Sequence, residues 1–166
     1  MKQQIAHNIP IASHLFWNDL FFHPQYTEEE HLHGLSCLEF TILEPYTGPP
    51  NYSRSIFSIQ PLNIPTAIQK IVGSRLGYTE KGIFYPEKGE YHFQLIPNVL
   101  ANKISIQGFY RIEAVDENTT KRICELESSV SIFGIGRKIE EVIAESNIQI
   151  QQKTATFATN WLKNRT

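Results

Sequence analysis

The stretch GIGRKIEEVIAESNIQIQQKTATFATNWLK, residues 134–163, changes the rhythm of the whole sequence. Before Gly134, apolar residues recur mainly at every second position. After Gly136 they recur at every third or fourth. Placed at 100° steps, Ile135, Ile139, Val142, Ile143, Ser146, Ile150, Phe157 and Trp161 fall within an arc of about 100°. Arg137, Glu141, Glu145, Gln149 and Gln152 take the opposite side. The spacing predicts an amphipathic helix of about 27 residues, roughly 40 Å long. A domain of 166 residues has an expected radius of gyration of about 15 Å. The helix therefore spans the molecule and must lie across whatever precedes it.

What precedes it reads as strands. Residues 3–9 alternate, with Ile5, His7 and Ile9 on one side, and Pro10 stops them. Ser13 is placed to cap a short helix over His14–Leu20. Thr27-Glu28-Glu29-Glu30 has capping-box spacing, so a second short helix is expected to run to His33 and stop at Gly34. Strands follow over 35–43 and 52–60, the first with Leu38, Phe40 and Ile42 on one face. Pro65 stands near the first turn of a short helix reaching Val72. Two hairpins complete the sheet: 78–85 with 90–96, and 104–115 with 121–133. Ile104, Ile106, Tyr110 and Ile112 share one face of the longer hairpin, as do Cys124, Leu126, Ser128, Val130 and Ile132. No crossover helices separate these strands, so the class is α+β: about seven antiparallel strands, two short helices after the first, and one long C-terminal helix. One domain is expected over 1–166. Such a sheet coils, and a straight helix laid in it leaves either large filling side chains or a cavity.

Composition agrees with a globular chain that builds its own core. At 166 residues it buries roughly 68–70% of its unfolded surface. Net charge is −2 with a pI near 6.3, and basic residues are scattered, so no nucleic-acid footprint is present. Cys37 and Cys124 both fall in predicted strands and read as small buried hydrophobes. No window approaches 18 apolar residues and the start lacks a signal-peptide core, so a cytoplasmic protein without an integral membrane segment is expected.

The element order and this tail resemble the helix-grip fold of the START and polyketide-cyclase superfamily (SRPBCC). Within it, the tail is similar to an uncharacterised bacterial family whose last helix opens with glycines and closes on Phe…Trp-Leu. The matching residues are Gly134, Gly136, Ile139, Ile143, Phe157, Trp161 and Leu162. The resemblance implies a pocket for a small hydrophobic ligand between sheet and helix: lipid-, sterol- or polyketide-like. It supplies no catalytic residues, because the superfamily shares no catalytic motif.

Familiar chemical motifs are missing or incomplete. Gly134-x-Gly136 opens a helix, but position 139 is Ile and no strand follows, so a dinucleotide loop is excluded and a tight strand-to-helix turn is expected. His31 and His33 would point about 200° apart on a helix, so they do not share a metal, and surface or capping roles are expected. A GxSxG elbow is absent. No metal or cofactor is expected. Glu39, Glu80, Glu113, Glu125 and Glu127 lie on strands, most of them expected outward, with Glu125 and Glu127 as an outward pair. The informative irregularity is in the helix, whose apolar stripe is broken by Ser146 and by Lys153-Thr154. Polar anchors facing a ligand-filled cavity, or a stripe fraying past the sheet edge, both account for the break. The expected ligand-binding residues are Phe40, Phe57, Ile106, Tyr110, Leu126, Ser128, Ile143, Ser146, Ile150 and Phe157, with Arg54 as a further polar group. Three functions stay open: a hydrophobic-ligand binding module, a cyclase- or dehydratase-like enzyme of the same fold, and a protein-interaction domain with a filled core. A cavity of several hundred Å³ would favour the first two.

Overall fold

The computed structural model describes residues 1–61 and 63–165. Strand β1 (Lys2–Ile9) is followed by a short helix α1 (Ser13–Leu15) that widens into a π-turn over Phe16–Phe21. Helix α2 (Pro24–Glu29) widens in the same way over Glu30–Gly34. Then come β2 (Glu39–Glu44), β3 (Ser53–Ile59), α3 (Thr66–Val72), β4 (Gly77–Tyr85), β5 (Glu90–Pro97), β6 (Ile104–Asp116), β7 (Thr119–Val130) and α4 (Gly136–Lys163). The sheet order is β1-β7-β6-β5-β4-β3-β2, antiparallel throughout. Consecutive strands from β2 to β7 are neighbours, and β1 closes the far side against β7. This is the α+β helix-grip arrangement expected from the period change at Gly134.

The return into α4 depends on two glycines. Gly134 sits at φ 77°, in the left-handed region open to glycine. A Cβ on Gly136 would lie 2.5 Å from the Val130 carbonyl oxygen, so the helix starts against the sheet only because that atom is missing. At 28 residues, α4 is about 42 Å long and packs on β1, β7 and the Glu30–Gly34 turn.

Three apolar groups fill the space between sheet and helices. Ile9, Phe16, Leu20 and Tyr26 meet Ala155 and Ala158 near the C-terminal end of α4. Phe22, Tyr91, Phe93, Ile106, Cys124 and Leu126 form the sheet-side middle. Ile68, Val72, Leu76 and Ile139 close the opposite end under α3.

Several local expectations are corrected. Ser13 caps nothing: Ala12 is the N-cap of α1, and Ser13 Oγ meets Thr120 Oγ1 at 3.0 Å. Thr27 opens no capping box, because α2 begins three residues earlier at Pro24, where a missing N–H costs nothing. The cap is His23, whose Nδ1 accepts from the Tyr26 N–H at 3.3 Å, and Thr27 Oγ1 donates back to the His23 carbonyl. Cys37 precedes β2 instead of lying in it; Ser36 turns the chain at φ 54° and delays the strand to Glu39. Cys124 is buried in β7.

Candidate functional site

A cavity of about 150 Å³ lies between the sheet and α4. Its apolar wall is Ile106, Leu126, Ile143, Ile150 and Phe93, with Ile68 of α3 toward one end. It is smaller than several hundred Å³ because both ends are filled. Ile68, Val72, Leu76 and Ile139 close one end. The other holds an aromatic stack in which Trp17 meets Phe84 at 4.9 Å and Phe21 meets Tyr110 at 5.4 Å between ring centroids. A small notch bordered by Gln60, Pro61, Ser146 and Lys153 shares Leu35, Gln60, Ser146 and Ile150 with the cavity wall. A larger hollow, about 780 Å³, lies on the outer face of the sheet among water-facing Lys81, Gln94, Gln107, Glu125 and Glu127.

Six of the ten residues expected at a ligand site line this cavity: Ile106, Tyr110, Leu126, Ile143, Ser146 and Ile150. The other four are placed elsewhere. Phe40 stacks on the His31 ring at 4.4 Å. Phe57 pairs with Thr79, one position out of step with Ile56 and Ser58, so its side chain takes the other face of β3. Ile56 and Ser58 line the cavity in its stead. Ser128 is buried, with its Oγ sealed in protein and unpartnered among the described residues. Phe157 packs on Tyr26, on Trp161 and against Gly34, past the end of the cavity.

Two polar groups face inward that the sequence reading does not single out as a site. The first joins β3, β4 and β5. Arg54 Nη2 donates to Glu80 Oε1 at 3.0 Å, and the Tyr91 hydroxyl donates to the same oxygen at 2.6 Å. The Arg54 guanidinium also lies over the Phe21 and Tyr91 rings, at 5.0 and 5.2 Å. Burial works against its charge, but Tyr91 and Glu80 beside it outweigh burial and hold its pKa above the usual range. Glu80 is thus the exception among strand glutamates expected outward. Tyr91 reaches it by crossing Gly82, where a Cβ would sit 1.8 Å from the Tyr91 hydroxyl. Gly82→Ala is therefore expected to displace the ring from Glu80 and cost about 1–3 kcal/mol, read as a lower midpoint in urea. An unchanged midpoint would reject this account.

The second group joins β6 and β7 to α4. Gln151 Nε2 donates to the Tyr110 hydroxyl at 2.7 Å and to Asn147 Oδ1 at 3.2 Å. Arg122 Nη2 donates to the Gln151 carbonyl at 3.0 Å and to Thr154 Oγ1 at 2.9 Å. The polar break in the helix stripe is therefore real at Ser146 and Thr154. Its buried centre is Asn147, Gln151 and Thr154, while Lys153 stays exposed. Nearby, His31 Nδ1 meets the Thr27 carbonyl at 2.7 Å, and Glu30 Oε1 accepts from the Tyr26 hydroxyl at 2.6 Å.

Burial pushes the Tyr110 and Tyr26 hydroxyls well above the ordinary range and Tyr78 up to about 12. It pushes the Cys124 thiol to about 11. No group of three or more potential metal ligands occurs among the described residues.

A seven-stranded antiparallel sheet gripping one long terminal helix around an internal cavity is the START/polyketide-cyclase (SRPBCC) class of fold. The chain is similar to the Zhui aromatase/cyclase from Streptomyces sp. R1128, with TM-score 0.68 and 11% identity over 99% of this chain and 96% of that one. It is similar to a norcoclaurine synthase point mutant from Thalictrum flavum, with TM-score 0.67 and 13% identity over 100% and 98%. It is also similar to a START superfamily protein from Mycobacterium smegmatis, with TM-score 0.62 and 11% identity over 99% of each. At these identities the likeness is one of fold. The chain belongs to the family described as "Protein of unknown function (DUF2505)", whose model matches residues 52–162. A comparison with curated proteins finds no match. No helix among the described residues is long and apolar enough to cross a membrane.

Proposed function

We propose that this protein binds a small, largely apolar ligand in the cavity between the sheet and α4. The observation that carries the reading is the cavity itself: about 150 Å³, walled by Ile106, Leu126, Ile143 and Ile150, with polar side chains on two sides. An apolar space of this size is enough for one aromatic ring. A sterol or a long acyl chain needs more, so a single-ring or short branched molecule fits the space best. Ligand sites are typically apolar with a few placed polar groups, and Arg54–Glu80 and Arg122–Gln151 are such groups here. Binding is favoured over catalysis because each cavity group with a shifted pKa moves away from neutrality. The cavity tyrosines, Tyr78 and Tyr110, pushed upward by burial, are neutral hydrogen-bond donors at pH 7, whereas a general acid or base needs a pKa near the working pH.

The test uses two neutral single-ring probes, phenol and benzyl alcohol, followed by ligand-observed NMR. Saturable binding to the wild-type protein is expected. Ser146 sits where the cavity meets the surface notch, so Ser146→Trp is expected to fill that space and lower affinity at least tenfold, with the circular dichroism spectrum unchanged. Equal binding by a folded Ser146→Trp variant would overturn the placement. Native mass spectrometry of the purified protein is expected to show a small co-purifying mass that denaturation releases.

A further inference from the structure

The wall formed by β7 and α4 narrows the ligand class, and the step rests on the reading that the cavity holds a ligand. Arg122 is 5% exposed, yet no carboxylate of the described residues lies within 4 Å of it. Buried guanidinium groups are ordinarily paired with an anion, because an unbalanced charge away from water is costly. Both hydrogen bonds made by Arg122 leave Nη2, and both acceptors are neutral: the Gln151 carbonyl and Thr154 Oγ1. Nη1 and Nε have no acceptor among the described residues. These two atoms are also not among the sealed, unpartnered polar atoms, which are Arg54 Nε, Ser128 Oγ and Gln151 Oε1. These unpartnered N–H groups are therefore not sealed in protein, and the space that Arg122 lines is the cavity.

The other charges of the cavity are engaged. Arg54 is held by Glu80 at 3.0 Å. Glu30 lines the same cavity but accepts from the Tyr26 hydroxyl at 2.6 Å and stands outside ion-pair distance of Arg122. His31 is tied to the Thr27 carbonyl. Tyr110, whose ring lies 5.8 Å from the Arg122 guanidinium, supports the cation from one side without neutralising it. An unpartnered arginine N–H gives a carboxylate a charge-assisted hydrogen bond, about twice as strong as a neutral one.

We propose that the ligand is a small aromatic carboxylate. Its carboxylate accepts a hydrogen bond from an unpartnered N–H of Arg122, and its ring lies against Ile106, Leu126, Ile143 and Ile150. The anion would balance a buried charge that the chain leaves unbalanced, and the ring would fill the apolar part of the space.

Isothermal titration with benzoate and with neutral benzyl alcohol, which have the same ring, tests this directly. The wild-type protein is expected to bind benzoate at least tenfold more tightly, since charge-assisted hydrogen bonds exceed neutral ones by about that factor. Arg122→Gln is expected to abolish the preference of benzoate over benzyl alcohol. If benzyl alcohol binds and benzoate binds no better, the carboxylate assignment fails and the cavity reading survives. If neither probe binds, both fail. Should Arg122→Gln not fold, the wild-type preference alone decides. Benzoate affinity in the wild type is then also expected to fall as its own carboxyl is protonated, near pH 4 for an ordinary carboxylic acid, while benzyl alcohol affinity stays level. A benzoate affinity that does not change with that protonation would overturn the proposal.

Discussion

Raising the pH above 10 is expected to unfold the protein in one cooperative step. Tyr26, Tyr78, Tyr91 and Tyr110 all have hydroxyl pKa values above the ordinary 10, each chiefly because burial disfavours the phenolate. Tyr26 and Tyr91 are buried outright; Tyr78 and Tyr110 are half-buried and line the cavity. A group whose folded pKa is raised contributes its full stability below the unfolded pKa. That contribution is lost as pH climbs toward the folded pKa. In the window above pH 10 the unfolded chain releases protons that the folded chain retains, so the equilibrium runs toward unfolding. Each tyrosine contributes about 1.4 kcal/mol per pH unit, so four contribute on the order of 5 kcal/mol between pH 10 and 11. That is comparable with the whole stability of an ordinary domain, about 5–15 kcal/mol. Cys124, raised from 9 to about 11, starts the loss about one unit earlier. Phenolate absorbance and circular dichroism should therefore change together. A smooth phenolate titration of all seven tyrosines with the fold intact would contradict the burial of these four.

The fold could be read from sequence because its signals are local and periodic. The switch from period 2 to period 3.6 at Gly134 marks α4 almost to the residue, and two turns rich in glycine or polar residues mark the hairpins. The short helices were harder. Pro24 and His23 together start α2, yet Thr27 with its glutamates carries the better-known pattern; proline at the first position outweighs it because its ring fixes the backbone there. The site was half legible. Alternation along β6 and β7 places Ile106, Tyr110 and Leu126 inside, and the same alternation run back two steps from Cys124 places Arg122 there too. A charged side chain at such a position carries no inward signal in the sequence. Glu80 follows Tyr78 by two positions and so shares its face, but as a charged residue it falls under the expectation that most strand glutamates point outward. Phe57 shows the converse failure, since β3 is buried on both faces over much of its length and a one-residue ambiguity in facing goes unmarked by polarity. No sequence rule reveals which polar residue meets which. The Arg54–Glu80 pair spans 26 positions, and Arg122–Thr154 spans 32.

Arg54→Met is expected to be the most damaging single substitution in the cavity wall. Removing the guanidinium leaves the Glu80 carboxylate, itself only 17% exposed, with the Tyr91 hydroxyl as its remaining partner. Breaking a buried pair on one side costs about 3–5 kcal/mol, because the surviving charge keeps its desolvation penalty and loses its compensation. For a chain of this length that corresponds to a fall in Tm on the order of 10 °C. The loss of contact with the Phe21 and Tyr91 faces adds to it. Pairing the change with Glu80→Gln removes the stranded charge and is expected to restore most of the stability. The gain comes from neutralising Glu80, not from any new contact. A double-mutant cycle reads this as a coupling energy of about 1 kcal/mol or more between positions 54 and 80. Arg137→Met, at a side chain 89% exposed on α4, provides the control and is expected to shift stability by less than about 0.5 kcal/mol. If Arg54→Met behaves like that control, the pair does not hold β3 to β4 and this account of the inner wall is wrong.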